Sequence, residues 1–258
     1  MEMRNYNITD VLAVAKELKF KSIETKLDSI LRDAVEQKWT NETLLYNILN
    51  NEFIRKEKLL KQSIIKRANF PQLKYLSDLD RKELPESMQI VLPKIETLEF
   101  IKEGKNIIFT GNPGTGKTHI AIGLGVEACK QGYKVLFTTI HELLTMIRET
   151  RSQKRLRQLE LAFMKYDLVI CDELGYVNLE KQSADMVFNL LSLRAELKST
   201  IVTTNLPFNK WEVVFADKVL TGAIIDRLTF KAFIVNMNGE SYRTKETIKF
   251  NKEFTMKT

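Results

Sequence analysis

The chain has 258 residues, 44% apolar and 28% charged, and its 40 Lys and Arg against 33 Asp and Glu leave a formal charge of +7. That length accommodates a core domain with a smaller companion. Two histidines and two cysteines argue against a zinc cluster or a disulfide scaffold, and no apolar run approaches the roughly 18 residues of a membrane span. A polar start and this sparing cysteine usage fit a cytoplasmic protein with no membrane partner, and the basic excess permits nucleic-acid binding without requiring it.

Residues 1–70 contain neither glycine nor proline, and their apolar residues recur at helical spacing. Leu12, Ala15, Leu18, Ile23, Leu27, Ile30, Leu31 and Ala34 predict one or two amphipathic helices. A longer helix is predicted over about 41–66, basic in its second half: Arg55, Lys56, Lys58, Lys61, Lys66 and Arg67 face a single Glu57. Residues 1–70 are thus expected to form a small all-α domain for partner or DNA binding. Residues 71–93, punctuated by Pro71, Pro85 and Pro93, are expected to be a linker with one short helix.

From residue 94 to 258 strands and helices alternate. Apolar, β-branched runs at 106–110, 134–139, 167–171, 200–204 and 233–237 are separated by helical patterns at 117–131, 141–163, 181–197 and 217–228. Such alternation implies a five-stranded parallel sheet covered on both faces, an α/β fold.

The first strand runs into Gly111-Asn112-Pro113-Gly114-Thr115-Gly116-Lys117-Thr118 and then His119, a full match to G-x-x-x-x-G-K-[ST] in its strand–turn–helix context. Glycines let backbone N–H groups converge on phosphate oxygens, and the following helix points its positive end at the same anion. Lys117 is placed to reach β- and γ-phosphates, and the Thr118 hydroxyl to bind Mg²⁺, which makes ATP with Mg²⁺ the expected ligand pair.

The third strand, Leu168-Val169-Ile170-Cys171, ends in Asp172-Glu173. In a doubly wound sheet such a strand end lies beside the P-loop. Asp172 is then suited to the Mg²⁺ shell and Glu173 to activating a water. Asn205, just past the fourth strand, is either a water-orienting amide or a turn residue. Arg227 and Arg243 are candidates for the γ-phosphate or for surface ion pairs, and Arg194 is a weaker candidate of the same kind.

Taken together, Asp172-Glu173-Leu174-Gly175-Tyr176, Thr203-Thr204-Asn205, Trp211, Asp226-Arg227-Leu228 and Ser241-Tyr242-Arg243 resemble the IstB-like transposition helper ATPases, over nearly the whole chain. These belong to the AAA+ clade of DnaA-type initiators and DnaC-type helicase loaders. The resemblance implies a P-loop NTPase of AAA+ type, with Asp172 and Glu173 as Walker B acids and Asn205 as sensor one. It makes Arg227 an arginine finger donated across a subunit interface, and Arg243 a sensor-two arginine. The roughly 15 residues after Arg243 imply a reduced or absent C-terminal lid.

In that clade an extra helix between the second and third strands lines a DNA pore. Here 141–163 hold Arg148, Arg151, Lys154, Arg155 and Arg157 against Glu149 and Glu160. Arg148, Arg151 and Arg155 fall at i, i+3 and i+7, a stripe suited to phosphate contacts or simply to solvent. Lys61, Lys66 and Arg67 form a second candidate patch. The implied function is a DNA-stimulated ATPase that assembles as a homo-oligomeric ring or filament on duplex DNA and directs a transposase. A replicative helicase loader, a small-molecule kinase and a nucleotide-gated module without turnover are the alternatives; the acid pair and Asn205 argue against the kinase.

Overall fold

The computed structural model describes residues 6–152, 155–175 and 179–255. Lys154 and Tyr176, both singled out above, lie outside these. The chain forms two compact units, Met1–Ser63 and Ile64–Thr258.

The first unit contains α1 (Ile8–Glu17), α2 (Lys21–Glu36) and most of α3 (Asn41–Arg67). Asn7 and Asp10 form a capping box that satisfies free N–H groups at the start of α1. Ala15, Ile23 and Leu27 make a small core, with Leu12, Phe20, Leu31 and Ile48 packed against it. The basic half of α3 is more neutralised than its sequence suggests. Buried Glu52 lies 2.5 Å from Arg55 and 3.9 Å from Lys56, and Lys61 pairs with Glu57 at 2.7 Å.

The second unit runs α4 (Glu86–Ile95), α5 (Glu99–Lys102), β1 (Ile107–Thr110), α6 (Lys117–Lys130), β2 (Val135–Thr139), α7 (Ile140–Ser152), α8 (Leu156–Met164) and β3 (Leu168–Leu174). It continues with α9 (Lys181–Ser192), β4 (Ser199–Thr204), α10 (Glu212–Phe215), α11 (Lys218–Thr229), β5 (Phe233–Asn236) and α12 (Tyr242–Thr255). All pairings are parallel, in the order β2-β3-β4-β1-β5. Alternate strand residues enter two different core layers, as the two-residue period requires. Ile107, Phe109, Leu168 and Ile170 face one layer with α4 and α6, whereas Ile108, Val169 and Cys171 face the other with α7, α9 and α11.

Two stretches differ from expectation. Residues 71–93 are not a free linker: Leu76, Leu84, Met88 and Leu92 are buried in the first layer. Apolar side chains between the prolines reach the sheet face. α6 makes room for them, since a Cβ on Gly123 would lie 2.6 Å from Leu76 Cδ2.

The predicted helix over 141–163 is two helices. α7 places Leu143, Leu144 and Ile147 in the second layer, and α8 returns Phe163 to the same layer. A single straight helix of that span would run about 34 Å and carry Phe163 away from it. Arg155 therefore leaves the stripe: it caps α8, and its N–H closes onto Thr150 O at 2.8 Å.

Candidate functional site

The C-terminal ends of β1, β3 and β4 open onto one cavity of about 670 Å³. Residues 113–119, Glu173, Asn205 and Arg243 line it, together with Asp78, Leu79 and Glu83 from the stretch before α4. Parts of the chain more than 160 positions apart are thus brought to one opening. β4 sits between β1 and β3, so the P-loop after β1, the acids ending β3 and Asn205 after β4 become neighbours.

Lys117 is 9% exposed, and its ammonium donates to Gly111 O at 2.7 Å and Asn112 O at 2.6 Å. Burial pushes its pKa below the ordinary lysine range; Asp172 opposes that shift and Arg243 adds to it. A cation held by loop carbonyls in a desolvated site is poised to exchange them for anionic oxygens. Gly114 has φ 79 and packs against Ser241, where a Cβ would lie 2.2 Å from Oγ. The Tyr242 N–H donates to Gly114 O at 2.9 Å, tying the start of α12 to the loop. Arg243 thereby stands at the cavity beside the P-loop.

Asp172 is 4% exposed and sits behind the loop. Its carboxylate accepts from Thr118 Oγ1 at 2.9 and 3.1 Å and from Thr203 Oγ1. A hydroxyl and a carboxylate side by side are hard oxygen donors suited to Mg²⁺, which takes its remaining positions from water and phosphate. Among the described residues no cluster of three or more His, Cys, Asp or Glu could hold a metal unaided. Glu173 is exposed at the cavity. Among the described residues Asn205 Oδ1 is buried without a partner, an acceptor whose desolvation a bound water or phosphate hydroxyl would offset.

The remaining candidates do not converge there. Arg227 is exposed on α11, outside the cavity lining, with its guanidinium 4.7 Å over the Phe188 ring. Arg194 is fully buried and donates to the carbonyls of Phe163, Tyr166 and Ser199, so it joins α8 to β4 and is far from any solvent-borne phosphate. Arg148, Arg151, Arg155 and Arg157 are exposed on α7 and α8; Arg151 contacts Gln182 and Arg157 pairs with Glu160 at 3.0 Å. Lys66 and Arg67 are exposed in the last turn of α3. Thr203, which the sequence marks only as part of the Thr203-Thr204-Asn205 motif without a role of its own, lines the cavity and donates to Asp172 Oδ1.

The 5-1-4-3-2 parallel sheet and the loop after β1 define a P-loop protein of AAA+ type. Solved structures agree on the fold. DnaI is similar over 68% of this chain and 93% of its own, at 20% identity and a TM-score of 0.54. DnaA from Aquifex aeolicus bound to AMPPCP covers 73% of this chain and 57% of its own, at 19% identity and a TM-score of 0.55.

At the sequence level, the profile of the IstB-like ATP binding protein matches residues 13–249, and the chain belongs to that family. A protein of insertion sequence IS232 from Bacillus thuringiensis subsp. berliner, named for ATP binding, is 32% identical over 92% of this chain and 94% of its own. A counterpart of insertion sequence IS5376 from Geobacillus stearothermophilus is 36% identical over 78% of this chain and 80% of its own. No helix among the described residues is long and apolar enough to cross a membrane.

Proposed function

We propose that this chain is the ATP-hydrolysing helper of an insertion sequence, a cytoplasmic protein that assembles on duplex DNA when ATP is bound and directs a transposase there. The observation that carries this reading is the meeting of Lys117, Thr118, Glu173, Asn205 and Arg243 at one cavity, with Asp172 hydrogen-bonded to Thr118 behind it. The insertion-sequence relatives supply the biological setting.

Residues 111–118 cradle the triphosphate through backbone N–H groups at the start of α6, with His119 beside them. Lys117 gives up the Gly111 and Asn112 carbonyls for β- and γ-oxygens. Mg²⁺, when bound by Thr118 and Asp172 with phosphate oxygens, supplies charge neutralisation. Glu173 takes the proton of the attacking water, and Asn205 Oδ1 accepts that water's other hydrogen. The bond from the γ-phosphorus to the β–γ bridging oxygen breaks, giving ADP and phosphate. Arg243 offsets charge within the subunit. Arg227, outward-facing on α11, does so on the neighbouring subunit's nucleotide, so that ATP favours a ring or filament. Arg148, Arg151, Lys154, Arg155 and Arg157, with Lys61, Lys66 and Arg67, contact the DNA backbone without reading bases.

Light scattering with ATP and duplex DNA tests the assembly. Wild type grows large species that disperse as ATP is consumed, and Arg227→Ala does not. Unchanged assembly and unchanged phosphate release in Arg227→Ala would remove the arginine from this role. Capture of the replicative helicase in preference to a transposase would reassign the partner.

A further inference from the structure

Thr203 lies in the middle of the sheet, 2% exposed, and its hydroxyl is used twice. It accepts the Glu173 backbone N–H at 3.0 Å and donates to Asp172 Oδ1. One oxygen therefore joins the side chain of the first acid to the backbone of the second.

The backbone it holds is unusual. Glu173 has φ 62, in the left-handed region that costs an L-residue about 1 kcal/mol. It sits where the β3–β4 pairing shifts register between Cys171 and Leu174. The consequence shows in the core. Leu168 and Ile170 pack in one layer and Val169 and Cys171 in the other, so regular alternation would send Leu174 to the first. Leu174 instead joins Val169 and Cys171. The bulge inserts one residue, and that residue is Glu173, turned to the cavity. An interrupted ladder leaves a backbone N–H to be satisfied, and the Thr203 hydroxyl on the facing strand satisfies it.

We propose that Thr203 is a positioning residue for ATP hydrolysis: it locks the bulge that aims Glu173 and orients the Asp172 carboxylate. This rests on the roles given above to the two acids. A hydroxyl committed to both of them acts through them and not on the phosphates.

Thr203→Val keeps the β-branched shape and removes the hydroxyl, and Thr203→Ser keeps the hydroxyl. Two measurements separate the possibilities: phosphate release at varied ATP, and hydrogen exchange of the backbone amides at 171–175. Thr203→Val is expected to lower kcat about 10- to 100-fold with little change in KM, the usual effect of removing a partner that orients a ligand-holding group. The Glu173 amide should exchange at least about tenfold faster. Thr203→Ser should restore most of both. A wild-type kcat in Thr203→Val, or an unchanged Glu173 amide, overturns the proposal. Should Thr203→Val not fold, Thr203→Ala carries the same two expectations. A wild-type chain whose phosphate release does not depend on Glu173 overturns the hydrolysis reading and the catalytic half of this proposal with it; the amide exchange still decides whether Thr203 holds Glu173.

Discussion

Thr118 Oγ1 lies 2.9 Å from Asp172 Oδ1, although the two residues are 54 positions apart. The contact fastens the first turn of α6 to the end of β3 and puts two hard oxygen donors side by side. Thr118→Val, which keeps the shape and removes the donor, is expected to raise the Mg²⁺ needed for half-maximal phosphate release and to lower the maximal rate about 10- to 100-fold. Thr118→Ser should stay near wild type. A Mg²⁺ titration of phosphate release checks both, and an unshifted Thr118→Val curve would place the cation elsewhere.

Arg194 separates a structural arginine from a catalytic one. Burial lowers its pKa to about 10, and its guanidinium satisfies carbonyls of Phe163, Tyr166 and Ser199 at 2.7–2.9 Å. Arg194→Leu leaves those acceptors unpaired in the core and is expected to cost about 3 kcal/mol or more in urea unfolding. Nucleotide affinity measured well below the transition should not change. Affinity lost without a loss of stability would return Arg194 to the list of phosphate contacts.

The P-loop was legible because its chemistry is contiguous: eight successive residues specify turn, dipole and cation together. The five strands were legible from β-branched apolar runs, and the ends of two of them bring Glu173 and Asn205 to one cavity, with Asp172 bonded to Thr118 beside it. What escaped depends on distant partners. The bulge at Glu173 is held by a hydroxyl 30 positions away, and a positive φ at a glutamate leaves no mark in the sequence. The division of 141–163 into α7 and α8 goes with the packing of Phe163 in the second layer. The burial of Leu76, Leu84, Met88 and Leu92 was hidden by prolines that suggest a linker, although Pro85 caps α4 and Pro93 lies inside it.

The basic residues of α7 and α8 should not contribute equally to DNA affinity. Arg148 is exposed, whereas Arg157 shares its charge with Glu160 at 3.0 Å. Arg148→Ala is expected to reduce duplex binding and to flatten the dependence of log K on log salt by about 0.9 for one lost phosphate contact. Arg157→Ala should change that slope less. Fluorescence anisotropy at several salt concentrations reads both, and equal slopes in all three proteins would move the DNA surface off this hairpin.

The first unit carries its own pH dependence. The Arg55 guanidinium, aided by the Ser22 hydroxyl and N–H and opposed by burial, draws the Glu52 carboxyl from 4.5 down to about 2. A folded-state pKa below the unfolded one stabilises above the unfolded value and is lost as pH falls towards the folded one. The increment should therefore be full above pH 4.5 and disappear between there and about pH 2. Urea unfolding followed by Trp39 fluorescence in a Trp211→Phe background checks it. Glu52→Gln should be less stable at pH 7 and show a flatter curve through that window; parallel curves would deny Glu52 this role.

The central claim is that Lys117 binds and Glu173 hydrolyses at one site, and calorimetric titration of ATP with Mg²⁺, paired with phosphate release, tests it most directly. Glu173→Gln should bind ATP with near wild-type affinity and release phosphate about 10²- to 10⁴-fold more slowly, and Lys117→Ala should bind weakly. Wild-type phosphate release from Glu173→Gln, or a wild-type titration with no saturation, would contradict the account.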